Sequence, residues 1–144
     1  TTRPFEIFGA PWIDPHKLCK GLAQFNLPRV KFRPLYFQPT FNKYAGELCG
    51  GAQIHVTNAD EYQPVKMTLC FLSYLLQECH DSFKWKNPPY EFVQDRLPID
   101  ILFGNSWIRE SLEKGEHPDQ IEKRWQSGLQ NFLNLRQKYL LYQS

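Results

Sequence analysis

Several things are scarce or missing in this chain of 144 residues. Its longest apolar run, L-C-F-L-S-Y-L-L at positions 69–76, is far short of the roughly 20 residues that span a bilayer, so no membrane span is expected. Lys and Arg form no run, and the net charge is only +2. The basic stripe of a nucleic-acid binder is therefore lacking. The four cysteines, Cys19, Cys49, Cys70 and Cys79, include no C-x-x-C pair, which argues against a structural zinc site and against a disulfide scaffold. They read as reduced, mostly buried thiols that pack as small hydrophobes. No G-x-x-x-x-G-K-[ST], G-x-G-x-x-G or G-x-S-x-G occurs, so no nucleotide loop or nucleophile elbow is expected. Neither a metal nor a cofactor is called for. The chain also opens T-T-R-P-F without Met, basic n-region or apolar h-region; the expectation is a processed product or a piece of something longer.

Aromatic residues, by contrast, make up 15% of the chain and hydrophobic residues 42%, enough for one domain with a real core. The alternation of P-F-E-I-F predicts a strand over 4–8, with Phe5 and Ile7 on one face. Asp14-Pro15 opens a helix over 15–25, since an N-cap side chain precedes a proline whose missing N–H does no harm there. Residues 29–37 suggest an edge or broken strand because of Pro34. Residues 38–51 read as a loop, with Gly50 and Gly51 in a tight turn or bulge, or less simply as an anion-binding loop. A strand over 52–57 follows, with Ile54 and Val56 facing the core. Gln63-Pro64 starts a helix that is apolar nearly all round and therefore buried, with Val65, Leu69, Leu72 and Leu76 as its principal face. Pro88-Pro89 keeps 81–92 extended. Asn105 caps a short helix ending at Gly115, and His117-Pro118 begins the last one. Its stripe is Ile121, Trp125, Leu129, Phe132, Leu133, Arg136 and Tyr139, and Gly128 is expected to admit a neighbour. The fold class is α+β: a small mixed or antiparallel sheet packed against three to five helices.

Carboxylates are the better lead for chemistry. Glu6, Glu47, Asp95 and Asp100 lie in apolar or Gly-rich surroundings, where burial or a nearby cation shifts a carboxyl toward acid, base or anchoring roles. For Asp95 and Asp100 the plainer reading is a half-buried ion pair with Arg96. Of the histidines, His16 and His117 at helix starts read as surface residues. His55, on a strand after the glycines, is a hydrogen-bonded structural histidine or a site residue. Phe41, Tyr44 and other aromatics interleaved with polar loop residues suit sugar rings, though core packing explains any single one.

Several longer strings carry a resemblance. They are R-P-F-E-I-F-G-A-P-W-I-D at 3–14, F-R-P-L-Y-F-Q-P-T-F-N-K-Y-A-G-E-L-C-G-G at 32–51, I-H-V-T at 54–57, P-P-Y-E-F at 88–92 and D-R-L-P-I-D at 95–100. In order and spacing, over nearly the whole chain, these resemble the C-terminal part of the NamZ-like exo-β-N-acetylmuramidases, a bacterial family. The resemblance implies a glycoside hydrolase that removes β-N-acetylmuramic acid from the non-reducing end of peptidoglycan fragments. It implies two parts, an N-terminal Rossmann-like α/β domain and a smaller C-terminal α+β domain, with the active cleft between them. Residues 1–144 then correspond to the second part alone, and the Rossmann-like partner, roughly 200 or more residues, lies outside this sequence.

The family pattern falls on Glu6, Lys43, Tyr44, Glu47, Cys49, Gly50, Gly51, Asp95, Arg96 and Asp100. Glu47 is the catalytic candidate. Lys43 or Arg96 would meet the lactyl carboxylate of muramic acid, and Tyr44 or Phe41 would stack on its ring. Glu6, Asp100 and His55 complete the candidate substrate-binding set. Because glycoside hydrolysis ordinarily takes two carboxyl groups, the chain by itself is expected to be inactive. The resemblance also implies the bacterial cell envelope: secreted, periplasmic or surface-associated. The alternative is a non-catalytic carbohydrate-binding or domain-docking module, and a structural cap is a third reading. A domain that has lost its partner should expose an aromatic, apolar patch around loop 38–51.

Overall fold

A computed structural model describes residues 5–142. Its contacts gather into two units, one running to Trp85 and the other starting at Lys86. Together they hold a three-stranded antiparallel sheet and five α-helices, the expected α+β class.

The first unit runs β1 (Ile7–Ala10), α1 (Pro15–Ala23), β2 (Val30–Phe37), β3 (Cys49–Val56) and α2 (Pro64–Glu78). The sheet order is β1-β3-β2, so β3 is central and β2, with its Pro34, is an edge strand as expected. β1 begins later than the alternation suggested: Phe5 has φ +64°, incompatible with a strand, and pairing instead follows the glycines (Pro4 lies outside the described residues). Gly9 lies opposite Gly51, and Ala10 opposite Gly50. A Cβ on Gly51 would stand 2.0 Å from the carbonyl oxygen of Phe8, and one on Gly50 2.0 Å from that of Ile13. These two residues are therefore neither turn nor anion loop. They are buried within the central strand, where backbone approaches too closely for any side chain. β3 thus starts at Cys49, ahead of the expected strand start.

The core is Ala10, Ile13, Leu18, Leu22, Ala52 and Leu75, flanked by Phe8, Phe32, Phe71 and Tyr74. The rings of Phe8 and Phe71 meet edge to face at 4.3 Å. α1 starts where foreseen: Asp14 accepts from the backbone N–H groups of His16 and Lys17, both at 2.9 Å. α2 buries Met67, Leu69, Cys70, Leu72, Ser73 and Leu75. Val65, expected on its inner face, is half exposed in the first turn of α2, and Val56, expected to face the core, is likewise exposed at the end of β3. Gln53, expected opposite the core, is instead fully buried, accepting from Arg33 Nη2 at 2.6 Å.

The second unit is helical. Residues 86–97 are irregular and hold no helix, which Pro88-Pro89 was expected to forbid over 81–92. They precede α3 (Pro98–Phe103), α4 (Trp107–Glu113) and α5 (Pro118–Arg136), with a 3₁₀ turn at Gln137–Tyr139. α3, too short to show a period, is framed by Pro98 and Gly104 (φ +73°). Asn105 Oδ1 accepts from Ile108 N at 3.3 Å, so the foreseen capping side chain acts from one residue before Ser106, the N-cap position of α4, and His117 Nδ1 accepts from Asp119 N at 3.3 Å at the start of α5. Ile108, Leu112 and Ile121 are buried. Beyond Trp125 the stripe of α5 is open, with Leu129, Phe132, Leu133 and Tyr139 exposed, and a Cβ on Gly128 would meet nothing within 4 Å. Gly128 admits no neighbour among the described residues.

Candidate functional site

The connection 38–48 between β2 and β3 is a folded loop. Gly46 N donates to Pro39 O at 2.8 Å, and Gln38 Nε2 donates to Gly46 O at 2.7 Å. Asn42, Tyr44 and Gly46 all take positive φ, +61°, +61° and +81°. Asn and Gly adopt that region readily. For Tyr44 it costs on the order of 1–2 kcal/mol, so its surroundings must hold it there. They do. Trp12 Nε1 donates to the Tyr44 hydroxyl at 3.4 Å, and Lys43 Nζ stands 4.9 Å from the centre of the Tyr44 ring.

Beneath this loop is a cleft of about 400 Å³, with Trp12, Phe37, Tyr44 and Phe71 among its walls. Lys43 is the one charged residue lining it among those described. An apolar, aromatic concavity with a single cation suits a ring-shaped ligand bearing one negative charge. Cys49 also lines the cleft. Burial pushes its thiol up, and the nearby Glu47 charge adds to the rise, which disfavours the thiolate a nucleophile needs. Burial likewise raises the Cys19 and Cys79 thiols, and all four cysteines are free.

Of the residues expected to act, Lys43 and Tyr44 share this cleft. Glu47 and Phe41 belong to the same loop but are exposed and do not line it; Glu47 N donates to Tyr44 O at 3.0 Å. Glu6 and His55 lie elsewhere, on the exposed rim of a larger groove of about 850 Å³ between the sheet and the start of α2. His55 is thus not the partly buried residue expected of a structural histidine. Arg96 and Asp100 belong to the helical unit. Asp95 and Arg96 are exposed there, and the expected ion pair does not form. Asp100 is instead gripped by Arg109, from Nε to Oδ1 at 2.8 Å and from Nη2 to Oδ2 at 3.1 Å. Arg109 also donates to Glu113 at 3.0 Å, and these bonds raise its pKa above the ordinary arginine value. Two-pronged geometry requires a side chain from the next helix, which adjacency in D-R-L-P-I-D does not reveal.

Trp12 is the residue that sequence reasoning missed. Its signal was local: a tryptophan between a strand and a proline-led helix start, where the chain must turn and a large side chain is left over an edge. Among the described residues no three His, Cys, Asp or Glu side chains are grouped to hold a metal ion.

The comparisons with known proteins agree with this architecture. In solved structures, the fold is similar to a crystal structure of a DUF1343 family protein from Bacteroides fragilis, with TM-score 0.79 and 23% identity over 97% of this chain and 36% of that one. In sequence, the chain is 38% identical over 142 residues to the peptidoglycan β-N-acetylmuramidase NamZ of Bacillus subtilis. That alignment takes in 99% of this chain and 32% of the relative, so the chain spans about a third of the relative's length. Residues 1–142 match the family described as exo-β-N-acetylmuramidase NamZ, C-terminal, and the chain belongs to that family.

Proposed function

We propose that this chain is the C-terminal domain of a peptidoglycan exo-β-N-acetylmuramidase and forms one wall of its muramic acid cleft. The observation that carries the reading is the lone cation, Lys43, set in an aromatic cleft by a strained Tyr44. Muramic acid differs from neutral hexosamines by its lactyl carboxylate. A lysine in an otherwise uncharged concavity selects for that group, while Tyr44 and Trp12 offer faces to the sugar's C–H surface. Phe41 and Leu48, each 64% exposed on the same loop, are the apolar surface expected where another domain closes over it. On this reading the opposite wall belongs to an N-terminal Rossmann-like domain, and the protein works in the bacterial cell envelope where its polymer lies.

Glu47 is the carboxyl group this chain brings to the reaction. Exposed as it stands, it lacks the water-excluded surroundings in which a carboxyl acts efficiently as acid or base, and closure by the second wall supplies them. The other carboxyl then comes from the partner domain. The alternative, a module that only binds sugar, has one observation in its favour: no carboxylate lines the cleft itself.

Steady-state kinetics of the two-domain polypeptide on a chromogenic muramoside separate these readings. Glu47→Gln should lower kcat by about 100-fold or more with little change in KM, as loss of a general acid or base does. Lys43→Ala should chiefly raise KM. Unchanged turnover in Glu47→Gln would leave only the binding role, and unchanged KM in Lys43→Ala would remove the cleft from the account.

A further inference from the structure

Past Trp125 the last helix leans on nothing among the described residues: all of residues 126–142 are exposed. The helical part of this overhang, 126–136, is shorter than the roughly 12–15 residues that hold a helix in water, and it contains Gly128. Its composition does not suit solvent either. Residues 126–135 carry no charge, and Leu129, Phe132 and Leu135 are 43, 58 and 53% exposed.

The large side chains have the spacing of a seam between two helices. Trp125, Leu129, Phe132, Arg136 and Tyr139 follow one another at steps of four, three, four and three residues, the alternation of core positions in a two-stranded coil. Leu133 and Leu135 flank that seam, one on each side. Charge then sets the direction of a partner helix. In a parallel pair of copies the two Arg136 guanidiniums would meet in the seam and repel. In an antiparallel pair, with the two-fold axis between Gln130 and Asn131, each Arg136 lies against Trp125 of the other copy, and each Leu129 against the other's Phe132. The guanidinium gains an aromatic face, Glu122 one turn away adds the opposite sign, and the residues between are neutral. The stretch is complementary to itself, as a two-fold contact requires.

We propose that the open end of α5 is a dimer interface, in which two copies of this chain pair antiparallel, Leu129 against Phe132 and Arg136 against Trp125. The pairing is independent of the sugar reading of the cleft and uses none of its residues.

The test is sedimentation equilibrium of the chain and of the two-domain polypeptide over about 5–500 µM, where a single helix pair, at the small end of interface sizes, associates reversibly. Both should pass from monomer to dimer. Phe132→Glu should abolish the dimer, and Arg136→Glu should weaken it by at least about 10-fold. Leu102→Glu, at a 69% exposed position on α3, should leave it unchanged. Direction is read by oxidising an equal mixture of Leu129→Cys and Phe132→Cys with oxidised glutathione, which should give the mixed disulfide in preference to either symmetrical one. A dimer that survives Phe132→Glu would overturn the proposal, as would an excess of symmetrical disulfides. So would a two-domain polypeptide that stays monomeric throughout; if the chain alone still paired, the face would belong to the rest of that polypeptide.

Discussion

The two units use their charged residues in opposite ways. In the helical unit Arg109 joins Asp100 and Glu113, and Arg124 donates to Ser111 at 2.8 Å while its guanidinium lies 4.2 Å from the Trp107 ring centre. Both of these arginines are matched by partners within the helical unit. In the sheet unit Lys43, on the cleft under loop 38–48, and Glu47, beside it on the same loop, are exposed. A saturated charge is architecture. One left open on a braced loop is available to a ligand, and the bracing is visible in Tyr44, kept at an unfavourable φ by Trp12.

The contrast breaks most visibly at Arg109. Arg109→Ala leaves the Asp100 carboxylate buried without its partner and should cost about 3 kcal/mol, whereas Arg96→Ala, at an exposed position, should stay within about 0.5 kcal/mol. Urea denaturation compares them; equal effects would mean that the Asp100 grip is not structural.

The glycines sharpen the comparison next. Gly51→Ala drives a methyl group into the Phe8 carbonyl and should destabilise the sheet unit by about 1–3 kcal/mol, with loss of amide protection in β1 and β3. Gly128→Ala, in the open interior of α5, should stabilise by about 1 kcal/mol. A neutral Gly51→Ala would contradict the close β1–β3 approach.

The smallest effect is at Asp14. Backbone hydrogen bonding, chiefly from the Lys17 N–H, holds its carboxyl below the ordinary aspartate value. A depressed folded-state pKa contributes stability above the unfolded value and loses it as pH falls through the folded one. The α1 start should therefore begin to fray only as pH falls below the unfolded aspartate value of about 3.9, seen in the Lys17 amide shift, and Asp14→Ala should abolish that acid transition.

Helix starts were legible because they are local. Asp14-Pro15, Gln63-Pro64 and His117-Pro118 each carry proline at the first helical position, where its cost vanishes. β1 was less so, since the residues that pair, Gly9 with Gly51, have no side chains to alternate. The open end of α5 was misread because Leu129, Phe132 and Leu133 have helical spacing whether or not anything covers them. At the site, loop composition singled out Lys43 and Tyr44. It was silent on Trp12, which reaches them only through the hairpin's return to the β1 edge, and on Arg109, whose claim on Asp100 is tertiary.

Equilibrium binding of N-acetylmuramic acid and of its lactyl methyl ester to the chain tests the charge selection directly. The acid should bind about 10-fold tighter than the ester, and Lys43→Met should bring the two together, a difference of about 1.4 kcal/mol. Equal affinities with Lys43 in place would contradict the assignment of this cleft to muramic acid.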